Sequence, residues 1–175
     1  MKIEKTLFVT APLEVKFAGE IGTFTGYAST FGGEPDAYGD LVQPGAFRKS
    51  LSRFAAEGST PPMLWSHDQS EVIGRWNSLA EDAKGLKVEG QLDMNVARAR
   101  EAYSLLKGKA VSGLSIGFML PPEGRKFNPD GTRTLMEVDL AEISVVAIPA
   151  NRGATITDVK SVESLRDFEH FLRVH

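Results

Sequence analysis

Three short segments of the chain contain side chains that together could carry out acyl transfer. His67 lies in LWSHD at 64–68, Ser115 in GLSIGF at 113–118, and Glu142 in VDLAEISVV at 138–146. A serine hydroxyl is a poor nucleophile until a base takes its proton, and histidine can be that base at neutral pH. A carboxylate can fix the imidazole tautomer and stabilise the imidazolium. The three residue types predict a catalytic set in which Ser115 attacks, His67 transfers the proton and Glu142 orients His67.

Each of these residues also has a structural interpretation that the pattern leaves open. His67 can be a hydrogen-bonded histidine at the end of a strand, and the glycines around Ser115 can thin a strand for packing. Glu142 can solvate a half-exposed face. Segment 113–117 matches the Gly-x-Ser-x-Gly pattern, but it lies in a β-prone run and is not a strand-turn-helix elbow. Ser112 is the competing nucleophile.

Strand alternation predicts which of these side chains share a face. On the second segment it places three residues on the face away from the core: Gly113, Ser115 and Gly117. On the third segment it places four residues on one face: Leu140, Glu142, Ser144 and Val146. A carboxylate on a largely apolar face is expensive to desolvate unless it is paired. A histidine is a suitable partner, although periodicity alone does not place His67 next to Glu142.

The composition restricts the chemistry further. The chain has no cysteine, which excludes a thiol nucleophile and thiolate metal sites. It has three histidines, His67, His170 and His175, and the last two lie on a predicted terminal helix. A metal-dependent phosphohydrolase built on His67-Asp68 would need more ligands in suitable geometry. We therefore predict neither a metal site nor a cofactor.

The charge and hydropathy patterns restrict the partners. With 20 Lys+Arg against 23 Asp+Glu, the net charge is −3, and a general nucleic-acid binder would normally carry a basic stripe. No run approaches the roughly 18 apolar residues of a membrane span, and the N-terminal apolar run is too short for a signal peptide. The sequence predicts a soluble, intracellular protein with no nucleic-acid or membrane partner.

The elements that must position the three residues follow from periodicity and turn signals. We expect about seven strands and three helices, with the strands in groups and not in strict alternation with helices. The expected strands include 71–80 and 84–92 around a turn at 82–85, and the β-prone run over 135–148. A continued turn is expected at 38–40 and a polar loop over 121–132. This favours an α+β fold, a small, mainly antiparallel β-barrel with peripheral helices. The helices are predicted over 45–57, from an Asn95 N-cap to a stop at Gly108, and over 161–174. We expect a barrel domain over 1–160 and a truncated C-terminal helix over 161–175.

Taken in order, the motifs resemble the tailed-phage prohead (capsid maturation) protease family, which is similar to the herpesvirus assemblins. The resemblance covers most of residues 20–160, and the ordered series is more specific than any one motif. It is carried by these segments: 24–29, 39–47, 63–68, 73–76, 84–90, 113–118, 142–146 and 149–151. Segment 165–173 also resembles the family's C-terminal helix, which usually runs further.

The resemblance implies a serine endopeptidase with a small β-barrel fold. Its expected substrates are the scaffold or the scaffolding segment of the major capsid protein, cut inside the prohead in the host cytoplasm, followed by autoprocessing. We also expect a homo-oligomer, either a dimer or a ring. A catalytically inactive capsid-assembly or scaffold-binding protein of the same fold is the main alternative.

The resemblance also implies two details of the site. Assemblins use Ser-His-His, and since no histidine lies near the third position here, Glu142 is the natural substitute. Assemblins have arginines near the oxyanion site. This chain offers Arg125, Arg133 and Arg152, or a backbone N–H near Ser115, and the sequence does not choose among them.

Overall fold

The computed structural model describes residues 21–160, so the predicted helix over 161–175 lies outside the described residues. The division into a barrel domain over 1–160 and a terminal helix therefore stays a prediction. The described part contains two helices, α1 (Arg48–Glu57) and α2 (Ala97–Lys107). Its strands are β1 (Thr23–Thr30), β2 (Asp40–Val42), β3 (Met63–Trp65), β4 (Asp68–Glu81), β5 (Gly85–Leu92), β6 (Gly113–Met119), β7 (Arg125–Phe127), β8 (Arg133–Leu135), β9 (Asp139–Val146) and β10 (Ile156–Val159).

Seven strands form one curled sheet in the order β10-β1-β5-β4-β3-β9-β6. Five pairs are antiparallel, whereas β3 and β9 are parallel. An isolated bridge between Gly113 and Thr155 links the start of β6 to the chain just before β10. The prediction of an α+β fold with a mainly antiparallel barrel is matched in part, because this sheet is mixed and forms an open half-barrel.

The second sheet was not predicted. It has the order β2-β8-β7, with β2 parallel to β8. The sequence indicated a continued turn at 38–40 and a polar loop over 121–132, but Asp40–Val42 and Arg125–Phe127 are strands. The run over 135–148 is also divided between β8 and β9. Three-residue strands carry almost no period of their own, so only their pairing partners reveal them.

The helices lie close to their predicted positions. Helix α1 begins at Arg48, and the carboxylate of Glu81 accepts hydrogen bonds from the N–H groups of Gly45 and Phe47 just before it. It ends at Glu57 and is followed by Gly58, which has the left-handed φ of 62° typical of a helix stop. The predicted Asn95 N-cap is wrong: the N-cap of α2 is Val96, and Asn95 instead bonds to the Asp93 carboxylate.

One hydrophobic core fixes these elements relative to each other. Phe24 of β1 and Trp76 of β4 pack edge to face with their ring centroids 5.7 Å apart, a favourable arrangement for aromatic pairs. The two site-bearing strands contribute Leu114, Ile143 and Val145, all fully buried. Burial fixes these side chains in the core. The faces of β6 and β9 that point away from the core are therefore held in place, and these faces carry the predicted site residues.

Candidate active site

The antiparallel pairing of β6 and β9 brings two of the predicted site residues onto one face. Ser115 lies opposite Ser144, and Gly117 lies opposite Glu142. Directly opposite residues of an antiparallel pair project to the same side of the sheet. The predicted alternation is therefore confirmed for these four positions, and Leu114 faces the core as expected.

The alternation prediction is wrong for Leu140. The register shifts after the Gly117–Glu142 pair, so that Phe118 lies opposite Leu140, and one extra residue of β9, Ala141, is left over. Such a bulge moves the residues beyond it to the other face. Leu140 consequently packs in the hydrophobic core, and Glu142 stands beside Ser144 on a more polar surface than the sequence suggested.

His67 lies in a tight turn, not at the end of a strand. Strand β3 ends at Trp65, and the pairing of Trp65 with Asp68 leaves Ser66 and His67 as a two-residue hairpin loop. Their φ angles are 52° and 64°, as in a type I′ turn. A residue with a side chain costs roughly 1–3 kcal/mol in such a conformation, so the surroundings must hold it. Here the N–H of Ser66 donates to the carbonyl of Val145 at 3.0 Å.

The turn places the imidazole against the carboxylate of Glu142. Nδ1 of His67 lies 2.6 Å from Oε1 of Glu142. The His67 side chain is 46% exposed, whereas that of Glu142 is 13% exposed. The structure therefore brings together two of the three predicted residues in direct hydrogen-bond contact, with the imidazole on the solvent side.

Gly117 makes room for this carboxylate. A Cβ atom built on Gly117 would lie 2.3 Å from Oε1 and 2.9 Å from Cδ of Glu142. Real Cβ atoms essentially never approach other atoms so closely, so a side chain here would displace the carboxylate. The missing side chain at Gly117 therefore leaves space for Glu142.

Ser115 and His67 line the same cleft. The cleft has a volume of about 520 Å³ and is lined also by Gly117, Phe118 and Arg133. Ser115 is only 8% exposed, yet it reaches this cleft. Ser112 is exposed and lies outside the cleft lining, so the cleft favours Ser115 as the nucleophile.

Of the three arginines considered for an oxyanion site, Arg133 alone lines the described cleft. Its Nε and Nη2 atoms bind the two carboxylate oxygens of the buried Asp40 at 2.6 and 2.7 Å. This hydrogen bonding raises the pKa of Arg133 above its ordinary value. Arg125 instead packs over the ring of Phe127, and Arg152 lines a separate depression. Asp40 therefore occupies the Nε and Nη2 atoms of Arg133.

Within 21–160, no group of three or more histidine, aspartate or glutamate side chains is placed to hold a metal ion. No helix of the described part is both long and apolar enough to cross a membrane.

The fold is shared with known viral proteases. The capsid assembly protease of bacteriophage T4 superimposes with a TM-score of 0.58 at 8% identity, over 71% of this chain and 80% of that chain. The KSHV protease gives a TM-score of 0.54 at 14% identity, over 86% of this chain and 74% of that chain. At such low identity these similarities define the fold class, that of the assemblin-like proteases.

The sequence comparisons then identify the family. The family model for the caudovirus prohead serine protease matches residues 11–171. The prohead protease of Enterobacteria phage HK97 is 39% identical over 91% of this chain and 72% of that protein. A capsid polyprotein of Pseudomonas phage PAJU2 is 35% identical over 91% of this chain and 23% of the polyprotein. The chain belongs to the caudovirus prohead serine protease family, which makes it a serine protease of phage capsid maturation.

Proposed function

We propose that Ser115, His67 and Glu142 form the catalytic triad of this protease. Ser115 Oγ attacks the carbonyl carbon of the scissile peptide bond and passes its proton to Nε2 of His67. His67 then gives that proton to the leaving amine, and water hydrolyses the acyl-enzyme with His67 as base again. Glu142 holds the ring and stabilises the imidazolium.

One observation carries this proposal: Nδ1 of His67 lies 2.6 Å from Glu142, while His67 and Ser115 line the same cleft. A carboxylate next to Nδ1 accepts a hydrogen bond from the N–H of that nitrogen, so Nε2 is the nitrogen that keeps its lone pair. Nε2 is therefore the nitrogen available to a serine in the cleft. The nucleophile also lies on a terminal strand of the sheet, where the main chain of a substrate can approach.

The proposed substrate is the scaffold or the scaffolding segment of the major capsid protein. After cutting this substrate, the protease is proposed to cleave itself. The family supports this substrate class. The PAJU2 relative supports it further, because a region similar to this chain makes up 23% of a capsid polyprotein there. The proposed place of action is the assembling prohead in the cytoplasm of the host.

The proposal is tested by covalent labelling. The full chain is treated with a fluorophosphonate probe, digested and mapped by peptide mass. We expect the label on Ser115, with labelling unchanged in Ser112→Ala and lost in His67→Ala. A label on Ser112, or labelling that does not depend on His67, would overturn the triad.

We further propose that the active form is a homo-oligomer, a dimer or a ring. Exposed apolar side chains support such association, for example Ile148, which is 88% exposed, and Met119 and Phe127, each 64% exposed. If association orders the site, mass action makes the activity per subunit rise with protein concentration. We expect this rise in a dilution series assayed by the rate of fluorophosphonate labelling. A labelling rate per subunit that is constant across the series would contradict the proposal.

A further inference from the structure

Ser144 is hydrogen-bonded to two members of the proposed triad, Glu142 and His67. It is fully buried, with 0% exposure, and lies on β9 directly opposite Ser115. Its Oγ is 2.6 Å from Oε2 of Glu142 and 3.0 Å from the backbone nitrogen of His67. The second contact crosses to the turn after β3, the parallel neighbour of β9. One hydroxyl therefore joins the turn that presents His67 to the carboxylate that binds its ring.

The chemistry of these groups fixes the direction of each hydrogen bond. The N–H of His67 can only donate, so Ser144 Oγ accepts from it. The single hydroxyl proton of Ser144 is then free to be donated to Oε2 of Glu142. A carboxylate that accepts this bond on one oxygen, while its other oxygen faces Nδ1 of His67, is held in one orientation. The hydrogen bond to His67 N–H also secures a residue whose φ is 64°.

We propose that Ser144 is a positioning residue of this protease, which acts through Glu142 and the His67 turn without touching substrate. The inference rests on the proposed triad. Ser144 sets the rotamer of Glu142 and thereby keeps the proton of His67 on Nδ1, leaving Nε2 as the base. Strand alternation places Ser144 on the same face as Glu142, but no local pattern indicates that Ser144 also holds the turn that follows the parallel strand β3.

The test is a double-mutant cycle on the full chain, read out by inactivation with a fluorophosphonate probe. The inactivation rate constant kinact and the probe affinity KI are measured separately for the native chain, Ser144→Ala, Glu142→Ala and the double variant. A hydrogen bond to a charged group predicts a loss of about 10- to 100-fold in kinact for Ser144→Ala, with KI unchanged. In the Glu142→Ala background, the second change should cost clearly less than it does in the native chain, because only the bond from the N–H of His67 is then lost.

Ser50 is a matched control. It is also a buried serine that bonds across elements, donating to the carbonyl of Val138 at 2.8 Å and accepting from the N–H of Leu140 at 2.9 Å. Ser50→Ala should lower stability without changing kinact. Ser144→Thr and Ser144→Val form a second pair of nearly equal shape, in which the variant with the hydroxyl should retain a kinact at least about tenfold higher.

The outcomes separate this inference from the proposed function. A native kinact for Glu142→Ala would overturn the triad and this inference with it. A reduced kinact for Glu142→Ala together with a native value for Ser144→Ala would overturn the role of Ser144 alone. Independent, additive losses, or equal values for the Thr and Val variants, would also overturn it, because the hydroxyl would then not act through Glu142.

Discussion

Ser115→Ala is expected to lower the rate of capsid-protein cleavage by about 10⁴- to 10⁶-fold while leaving the fold intact. The hydroxyl is the proposed nucleophile, and without it no acyl-enzyme can form. The side chain becomes smaller by one oxygen atom on a well-packed strand whose core residue, Leu114, is unchanged. The measurement is cleavage of the co-expressed major capsid or scaffold protein, with circular dichroism and thermal unfolding as the check of folding.

Ser112→Ala is the matched control for this experiment. Ser112 is an exposed serine three positions earlier and lies outside the lining of the cleft. The Ser112→Ala variant should cleave the capsid or scaffold protein at the native rate. Undiminished cleavage by Ser115→Ala, or its loss only in Ser112→Ala, would contradict the assignment of the nucleophile.

Gly117→Ala is expected to lower the cleavage rate by about 10²- to 10⁴-fold, although it adds a single methyl group. The added Cβ would lie 2.3 Å from Oε1 of Glu142, so the carboxylate must move away from His67. The φ angle of Gly117 is not in the left-handed region, and the effect is therefore steric, not a matter of backbone strain. Cleavage of the same co-expressed substrate measures it.

A second substitution that removes the Glu142 side chain separates the effect of Gly117→Ala on stability from its effect on catalysis. In Gly117→Ala/Glu142→Ala the methyl group has space, so thermal stability should recover towards that of Glu142→Ala. Activity should stay low, because the carboxylate is gone. Native cleavage by Gly117→Ala would show that the position of Glu142 beside Gly117 does not matter for the reaction.

Strand alternation predicted the part of the site that lies within regular strands. The period of two is a local property of the backbone, so it placed Ser115, Gly117, Glu142 and Ser144 correctly. It failed at Leu140, because a bulge is decided by the pairing with β6 and not by the residues of β9 alone. The β4–β5 pair with its turn at 82–85 was likewise local and was predicted correctly.

The turn that carries His67 and the short strand β2 depend on long-range pairing and could not be predicted from the sequence. The sequence placed His67 at the end of a strand, because Ser66-His67 lacks the Asn-Gly type of signal that marks a two-residue hairpin. Its turn is held instead by Ser144 and Val145 of β9, a parallel neighbour distant in the chain. The same reason explains the missed strand β2, whose partner β8 lies far along the sequence.

The central claim is that Ser115, His67 and Glu142 act as one unit. It is tested most directly by a crystal structure of the full chain after reaction with a peptide phosphonate. We expect the phosphorus bonded to Oγ of Ser115, Nε2 of His67 within about 3.2 Å of that Oγ, and Glu142 still bound to Nδ1. Phosphorus bonded to another residue, or a His67 ring turned away from Ser115 with Glu142 unpaired, would contradict the triad.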